Sequence, residues 1–489
     1  MNKPLRHLAV VTFVLFTLLL ASTTYTQFIT ADDLRSNSFN SRTLYEELGR
    51  DRGPILVDGE PIVQSVASDD NYKYLRTYGG KGIDPEMYSA ITGYYSILQG
   101  ATGLEKAEND LLAGTDDALF YQTMSDLFTG EQPAGAAVEL TINAKAQKAA
   151  WDALGGQKGA AVAIDPSTGQ ILAMVSKPGF DPNKIATHNG EDSKAAYEAL
   201  STDEDKPYFN RAIAGNLYPP GSTFKLVTAA TALESGDFNT NSELNGSAAL
   251  DLPQTTSVIR NSNKRACGPN DKVSMMQALT ISCNTAFAQL GMDVGADKLR
   301  EQAQKFGFET DLDIPLNVSE STFPDDPNAP QTAQSAIGQF DVRATPLQIA
   351  MVSAAIANNG TLMKPNLVKQ VTTQKSLSVI EKPSASELSK PISEDTAAQL
   401  TEMMQSVVNS GTGRSAKIPG IDVAGKTGTS QNVEGAAPHA WFTSFAPAND
   451  PKVAVAVVVE SGGNAGSDAS GAQVAGPVAT AITKAVLNK

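Results

Sequence analysis

The stretch Tyr218-Pro-Pro-Gly-Ser-Thr-Phe-Lys-Leu-Val-Thr-Ala-Ala230 gives the strongest indication of fold and chemistry in this chain. Two prolines and a glycine end the preceding structure, and a helical pattern begins at Ser222. Lys225 follows three residues later, so both side chains share one face of the helix. A serine in this position is usually a helix cap, and the pair alone favours that interpretation. The alternative is a nucleophile, because a serine hydroxyl becomes reactive when a neighbouring base removes its proton.

Lys225 is the base that the composition offers, since the chain contains only 3 histidines. An ammonium group cannot accept a proton, so burial and a second nearby cation would have to lower the pKa of Lys225. The helix N-terminus would add a backbone N–H and a positive dipole for a developing oxyanion. The sequence must therefore supply the second cation elsewhere.

A second polar motif, Ile281-Ser-Cys-Asn-Thr285, lies between two helical patterns. Serine and asparagine in such a connection usually serve only to stabilise a turn. Its functional interpretation gives Ser282 a proton-relay role towards the leaving group, and Asn284 an amide that holds a substrate peptide group.

A third motif, Ala424-Gly-Lys-Thr-Gly-Thr-Ser-Gln431, offers the second cation, Lys426, which would also attract a substrate carboxylate. Thr427 can hydrogen-bond that carboxylate, and Gly428 indicates close approach of a ligand to the backbone. The backbone N–H of Thr429 would complete an oxyanion hole with that of the serine in the first motif. The alternative interpretation of this motif is a surface strand with a bulge, without a role in binding. A phosphate loop is excluded because the Gly-x-x-x-x-Gly-Lys spacing is absent.

The overall composition narrows the class of protein. A chain of 489 residues with 41% hydrophobic residues has room for two or three domains with real cores. Its 38 basic and 53 acidic residues give a net charge of −15, which argues against nucleic acid as a partner. With 2 cysteines and 3 histidines there is little material for a metal centre, and no metal site is predicted.

The N-terminus predicts a membrane anchor. Lys3 and Arg6 precede the uncharged segment 8–31, which is long enough for a spanning helix of about 20 residues. The basic flank comes first and two aspartates follow, so the positive end should stay in the cytoplasm and the body should be extracytoplasmic. A cleaved signal peptide is the alternative, but no convincing small-x-small site follows Ala21.

Hairpin strands, a helical middle and closing strands predict an α+β domain over residues 138–489. Apolar runs at 160–164 and 170–175 flank a turn; helical patterns cover 222–234, 273–293, 345–358, 394–409 and 472–487, and strand candidates cover 422–431, 440–445 and 452–459. The sheet should be mostly antiparallel and assembled from both ends of the domain. Residues 1–31 form the cytoplasmic tail and anchor, and 32–137 a small accessory module that ends in a linker at 131–137.

The three motifs Ser222-x-x-Lys225, Ser282-x-Asn284 and Lys426-Thr427-Gly428, in this order, resemble those of penicillin-binding proteins and serine β-lactamases. Further segments are similar to the transpeptidase domain: Asn210-Arg-Ala212, Gly338-Gln339, Gly411-Thr-Gly413 and His439-Ala-Trp-Phe442. The N-terminal segments Arg52-Gly-Pro-Ile-Leu56 and Gly103-Leu-Glu105 resemble the pedestal, a dimerisation-like module of class B members. The resemblance covers about residues 138–489 for the catalytic domain.

The resemblance implies a peptidoglycan D,D-transpeptidase of the cell membrane, anchored by a single span. Ser222 would attack the penultimate D-Ala carbonyl of a stem peptide ending in D-Ala-D-Ala, with Lys225 as general base. Terminal D-Ala would leave with help from Ser282 and Lys426, and an amine of a second stem would complete the cross-link. The implied partners are stem peptides, β-lactam antibiotics, the cytoplasmic membrane, and cell-division or elongation proteins. No metal or organic cofactor is implied.

Two other functions fit the same motifs. A D,D-carboxypeptidase or β-lactamase of this fold would hydrolyse the acyl-enzyme, although a β-lactamase usually lacks the accessory module. A β-lactam-binding sensor or scaffold would be expected to carry a cytoplasmic signalling part, which the first seven residues do not provide.

Cys267 and Cys283 are 16 positions apart, and Cys283 is the middle residue of the second motif. An oxidising compartment permits a disulfide, which would tie the Ser282 loop to residues 260–271. Two buried free thiols are the alternative, because geometry decides the pairing.

Overall fold

The computed structural model describes residues 3–30, 50–70, 72–80, 82–119, 128, 134–215, 217–374, 377–431 and 436–488. Its first helix, α1 (Lys3–Thr24), continues as a π-helical turn, Tyr25–Ile29. Together they form one span of 27 residues with no buried residue, long and apolar enough to cross a membrane. This span covers residues 8–29 of the predicted anchor segment, residues 8–31.

The remaining helices and strands are interspersed along the chain. The α-helices that follow are α2 (Ser89–Thr92), α3 (Gly103–Ala107), α4 (Asn109–Ala113), α5 (Ala144–Leu154), α6 (Asn183–Ala186), α7 (Gly190–Thr202), α8 (Lys225–Glu234), α9 (Met275–Thr280), α10 (Asn284–Val294), α11 (Ala296–Lys305), α12 (Ala329–Ser335), α13 (Pro346–Ala357), α14 (Glu394–Asn409) and α15 (Gly471–Val486). The strands are β1 (Ile55–Val57), β2 (Glu60–Ala67), β3 (Tyr74–Tyr78), β4 (Tyr95–Ser96), β5 (Gly100–Ala101), β6 (Ala136–Leu140), β7 (Gly159–Ile164), β8 (Ile171–Lys177), β9 (Glu243–Asn245), β10 (Ala249–Asp251), β11 (Val258–Arg260), β12 (Lys272–Ser274), β13 (Leu362–Met363), β14 (Val368–Thr373), β15 (Val379–Glu381), β16 (Glu387–Ser389), β17 (Ala424–Ser430), β18 (His439–Ala446) and β19 (Val453–Val459).

The larger region is built around a five-stranded antiparallel sheet in the order β17-β18-β19-β7-β8. Its central strand β19, Val-Ala-Val-Ala-Val-Val-Val, is buried along its whole length because helices cover both faces. Helices α5 and α15 pack on one face and α13 on the other. The predicted α+β fold is confirmed, with an antiparallel sheet whose strands come from both ends of this region.

A second sheet joins the two predicted domains. Its order is β15-β14-β6-β1-β2-β3, so β14, from the middle of the catalytic region, pairs with β6 beside the strands of the accessory module. For Ala136 and Ala137 the linker prediction is wrong: both are buried in β6. Residues 131–133 of that linker lie outside the described residues. The accessory module and the catalytic region therefore share backbone hydrogen bonds.

A buried ion network holds the accessory module together. Arg52 Nε lies 2.7 Å from Glu105 Oε2, and Arg76 Nε lies 2.6 Å from Glu105 Oε1. Tyr78 donates its hydroxyl hydrogen to the same carboxylate at 3.1 Å. Burial opposes the negative charge, but Arg76 and Arg52 outweigh it and lower the pKa of Glu105. The two N-terminal segments that resemble the pedestal are thus joined by one ion pair.

Candidate active site

Ser222 lies in a 3₁₀ turn, Gly221–Thr223, that leads directly into helix α8. Its half-buried side chain caps neither the turn nor the helix, so the capping interpretation is wrong. Gly221 has a φ of 53°, and a β-carbon there would lie 2.6 Å from the carbonyl oxygen of Thr429. Only glycine lets this turn approach strand β17 so closely.

Lys225 is the first residue of α8 and is completely buried. Among the described residues, its Nζ hydrogen-bonds to Asn284 Oδ1 at 2.7 Å, the Ser282 carbonyl oxygen at 2.9 Å and Ser282 Oγ at 3.3 Å. The amine is therefore directed at the second motif. The structure brings the first two motifs together, although the Lys225 amine is not hydrogen-bonded to Ser222 here.

Lys426, in the third motif, contacts the same serine. It is completely buried in β17, and its Nζ donates to Ser282 Oγ at 2.9 Å and to the Thr427 carbonyl oxygen at 2.8 Å. The Ser282 hydroxyl thus lies between two lysine amines. All three predicted motifs meet at this point.

The electrostatics of this pair follow from burial. Burial, and then the charge of Lys426, hold the pKa of Lys225 well below its usual value. Burial lowers the pKa of Lys426 to about 7. Burial and the charge of Lys426 therefore both favour the neutral form of Lys225, which is the form that can accept a proton.

The second motif is a strained connection between helices α9 and α10, both of which lie within the predicted helical range 273–293 apart from the last residue of α10. Ser282 has a φ of 59°, in the left-handed region that L-residues rarely adopt. The amide of Asn261 holds the next helix: its Oδ1 accepts from the backbone N–H of Asn284 at 2.9 Å and of Thr285 at 3.2 Å. Asn261 was not identified from the sequence, because it lies over 20 residues away in a loop without a recognisable motif.

A disulfide fastens the same loop. Cys267 and Cys283 are bonded, with Cα atoms 6.1 Å apart, and Cys283 is buried beside Asn261. The disulfide joins the second motif to the segment around residues 260–267, as the sequence predicts for a bonded pair.

The third motif is placed by packing on the sheet. Gly428 lies opposite Trp441, and a β-carbon at Gly428 would lie 2.8 Å from Trp441 Cβ and 2.9 Å from Thr223 Cγ2. Glycine is thus required by the fit of β17 against β18 and the Ser222 turn, a reason that the sequence did not provide. Thr429, on the exposed side of the strand, lies beside the turn.

Thr412 is a site neighbour to which the sequence assigned no role. Its Oγ1 lies 2.7 Å from Thr427 Oγ1, and its backbone N–H donates to the Thr280 carbonyl oxygen at 3.1 Å. The segment Gly411-Thr-Gly413 carried the only sequence signal, through its family resemblance. Two hydroxyls therefore stand side by side where a substrate carboxylate is expected.

Comparison with known proteins identifies the family of this chain. Residues 159–484 match the family model "Penicillin binding protein transpeptidase domain", and residues 52–138 match the "Penicillin binding protein A dimerisation domain". The chain is 42% identical over 498 residues to the peptidoglycan D,D-transpeptidase PbpA of Mycolicibacterium smegmatis, with all of both chains covered.

Solved structures show the same likeness. Penicillin-binding protein A from M. tuberculosis, as its ceftriaxone acyl-enzyme complex, is 40% identical with a TM-score of 0.87, covering 91% of this chain and 100% of the other. A D,D-transpeptidase domain from Eggerthella lenta is 35% identical with a TM-score of 0.77, covering 90% and 98%. The chain therefore belongs to the penicillin-binding proteins, in the class B group of serine D,D-transpeptidases.

Proposed function

We propose that this protein cross-links peptidoglycan stem peptides through an acyl-enzyme on Ser222. The observation that carries the proposal is the convergence of two buried amines, Lys225 and Lys426, on Ser282 beside the Ser222 turn. The M. smegmatis relative is named a peptidoglycan D,D-transpeptidase, and the M. tuberculosis relative forms acyl-enzymes with β-lactams.

Acylation begins when neutral Lys225 accepts the hydroxyl proton of Ser222. The Ser222 oxygen attacks the penultimate D-Ala carbonyl, and the new C–O bond places negative charge on the carbonyl oxygen. The backbone N–H groups of Ser222 and Thr429 hydrogen-bond that oxyanion. Hydrogen bonding in a buried site is worth more than in water, so this contact lowers the barrier of the step.

Breakage of the D-Ala–D-Ala bond needs a proton on the leaving nitrogen. Ser282 donates this proton and receives another from Lys225 or Lys426, because its hydroxyl contacts both amines. Asn284 holds the substrate amide while its Oδ1 fixes Lys225. The amine of a second stem peptide then attacks the acyl carbon, neutral Lys225 takes the amine proton, and a proton passes from Lys225 to the Ser222 oxygen as the ester C–O bond breaks.

The terminal carboxylate of the donor is held at the third motif. Protonated Lys426 attracts it, Thr427 donates a hydrogen bond, and the lack of a side chain at Gly428 keeps the strand open beside the turn. β-Lactams carry a carboxylate in the corresponding position, so the same residues would bind antibiotic and substrate.

The first test is labelling with a fluorescent penicillin. Ser222→Ala should abolish the label, and Lys225→Ala should slow acylation by at least about 100-fold with the thermal unfolding curve intact, since general base catalysis supplies 10² to 10⁴ in rate. Ser201→Ala, at an exposed position of helix α7, is the control. Unchanged labelling of Ser222→Ala would contradict the nucleophile assignment.

The second test separates transfer from hydrolysis. A D-Ala-D-Ala peptide is supplied with a D-amino acid acceptor, and the products are separated by mass. A transpeptidase gives the exchanged peptide, whereas a D,D-carboxypeptidase gives only the shortened one. Rapid loss of the penicillin label would favour a β-lactamase, and labelling without either product would favour a sensor or scaffold.

We also propose that the N-terminal span anchors the protein with residues 32–489 outside the cytoplasm. Lys3 and Arg6 lie at the start of the span, before its uncharged part, and this basic flank favours a cytoplasmic location for that end. The proposed division is 1–31 tail and anchor, 32–137 pedestal and 138–489 transpeptidase domain, with cell-division or elongation proteins as partners. External protease should digest the catalytic domain in spheroplasts; protection would reverse the orientation.

A further inference from the structure

A buried carboxylate outside the three motifs lies behind the Ser222 turn. Glu460 directly follows strand β19, and its side chain is 10% exposed. Its Oε1 accepts a hydrogen bond from the Tyr218 hydroxyl at 2.6 Å and from Arg211 Nε at 2.9 Å. Its Oε2 lies 3.7 Å from Lys158 Nζ. One carboxylate thus joins the end of a central strand to the segment that enters the turn.

The path from this carboxylate to Ser222 is short and stiff. Only Pro219, Pro220 and Gly221 separate Tyr218 from Ser222, and each proline fixes its own φ. The Tyr218 backbone pairs with Ala344 through two hydrogen bonds, of 2.9 and 3.1 Å. A displacement of Tyr218 would therefore also displace the Ser222 turn.

The Tyr218 ring also supports the strand next to the third motif. It packs edge-on against His439 and Trp441, with ring centroids 5.4 and 6.0 Å away. Trp441 Nε1 donates to the Pro219 carbonyl oxygen at 3.1 Å. Burial, and then the Glu460 carboxylate, raise the pKa of Tyr218, so its hydroxyl remains a donor.

We infer that Glu460 is a positioning residue for acylation: through Tyr218 it fixes the Pro219–Pro220 segment and with it the Ser222 turn. The inference rests on the proposed role of Ser222 as nucleophile. A misplacement of about 1 Å costs about 100-fold in rate. The effect should fall on the acylation step, since Glu460 does not contact the residues proposed to bind the substrate.

The test is stopped-flow acylation by a fluorescent penicillin, which separates the binding constant from the first-order acylation rate. Glu460→Ala should lower that rate by about 10- to 100-fold with the binding constant within about threefold. Glu460→Gln keeps an acceptor for Tyr218 and should recover part of the rate. Tyr218→Phe should reduce the rate, and adding it to Glu460→Ala should cause little further loss, because both remove the same hydrogen bond.

Glu309→Ala is the matched control, because Glu309 also pairs with an arginine, Arg300 at 3.1 Å, but lies outside the site. It should change the melting temperature without changing the acylation rate. An unchanged rate in Glu460→Ala, or additive losses in the double variant, would overturn the inference. Residual labelling must disappear with Ser222→Ala; if it persists, the nucleophile assignment has failed instead.

Discussion

At the scale of the residue, the two buried lysines predict how acylation depends on pH. Lys225 acts as base when neutral, so the rate should fall as the pH drops through its lowered pKa. Lys426 holds a carboxylate when charged, and its pKa is about 7, so affinity for a carboxylate-bearing β-lactam should fall as the pH rises through that value. Acylation efficiency measured between pH 5 and about 9 should therefore show a maximum with a decline on each side.

The variant Lys426→Arg tests whether Lys426 causes the fall in acylation efficiency at alkaline pH. A guanidinium stays protonated throughout this range, so the decline should move to higher pH or vanish, even if the maximum rate is lower. If the fall in acylation efficiency at alkaline pH stays at the same pH in this variant, another group causes it. Lys417→Arg, at an exposed lysine, serves as the control.

At the scale of the element, strand β17 depends on one glycine. Gly428→Ala would place a β-carbon 2.8 Å from Trp441 Cβ and 2.9 Å from Thr223 Cγ2, so the strand must shift relative to β18 and the Ser222 turn. We expect acylation to fall by about 10-fold or more and stability to fall by about 1–3 kcal/mol, as for an overpacked core. Gly156→Ala has open space around it and should leave both unchanged. A Gly428→Ala variant with normal acylation kinetics would refute this account of the strand.

The loop of the second motif depends on its disulfide. In the chain-entropy model a closed loop of this length contributes roughly 3 kcal/mol. A Cys267→Ser, Cys283→Ser double variant should therefore lose about that much stability in urea unfolding. Dithiothreitol should lower the stability of the parent protein and leave the double variant unaffected. Equal sensitivity of both proteins would contradict the assignment.

The local elements could be predicted from the sequence, but their partners could not. The serine, lysine and asparagine motifs were identified because each is a short run with a chemical reason for its spacing. Asn261 and Glu460 are single residues whose role depends on atoms brought from distant parts of the chain. The linker prediction failed at Ala136 for the same reason, since β6 forms by pairing with β14, more than 200 residues later.

At the scale of the whole molecule, the pedestal and the catalytic region are joined by more than the chain. Strand β14 pairs with β6 in the pedestal sheet. Asn210 Nδ2 donates to the Ala90 carbonyl oxygen at 2.9 Å, and Gln147 Nε2 to the Met87 carbonyl oxygen at 3.0 Å. Because these hydrogen bonds cross the junction, the two regions should unfold together.

Glu105 provides the test, since it lies in the pedestal and its loss leaves Arg52 and Arg76 as uncompensated buried charges. Glu105→Ala should destabilise the protein by about 3–5 kcal/mol. In a Trp151→Phe background the remaining tryptophan, Trp441, is buried in the catalytic region, so its fluorescence reports that region.

If the pedestal and the catalytic region unfold together, Glu105→Ala should shift the fluorescence transition and the far-UV circular dichroism transition by the same amount. Glu204→Ala, at an exposed site, should shift neither. An early loss of circular dichroism with an unmoved fluorescence transition would show instead that the catalytic region folds without its pedestal. Coupling would mean that a partner bound to the pedestal stabilises the catalytic region as well, because a ligand that binds only the folded state stabilises the whole cooperative unit.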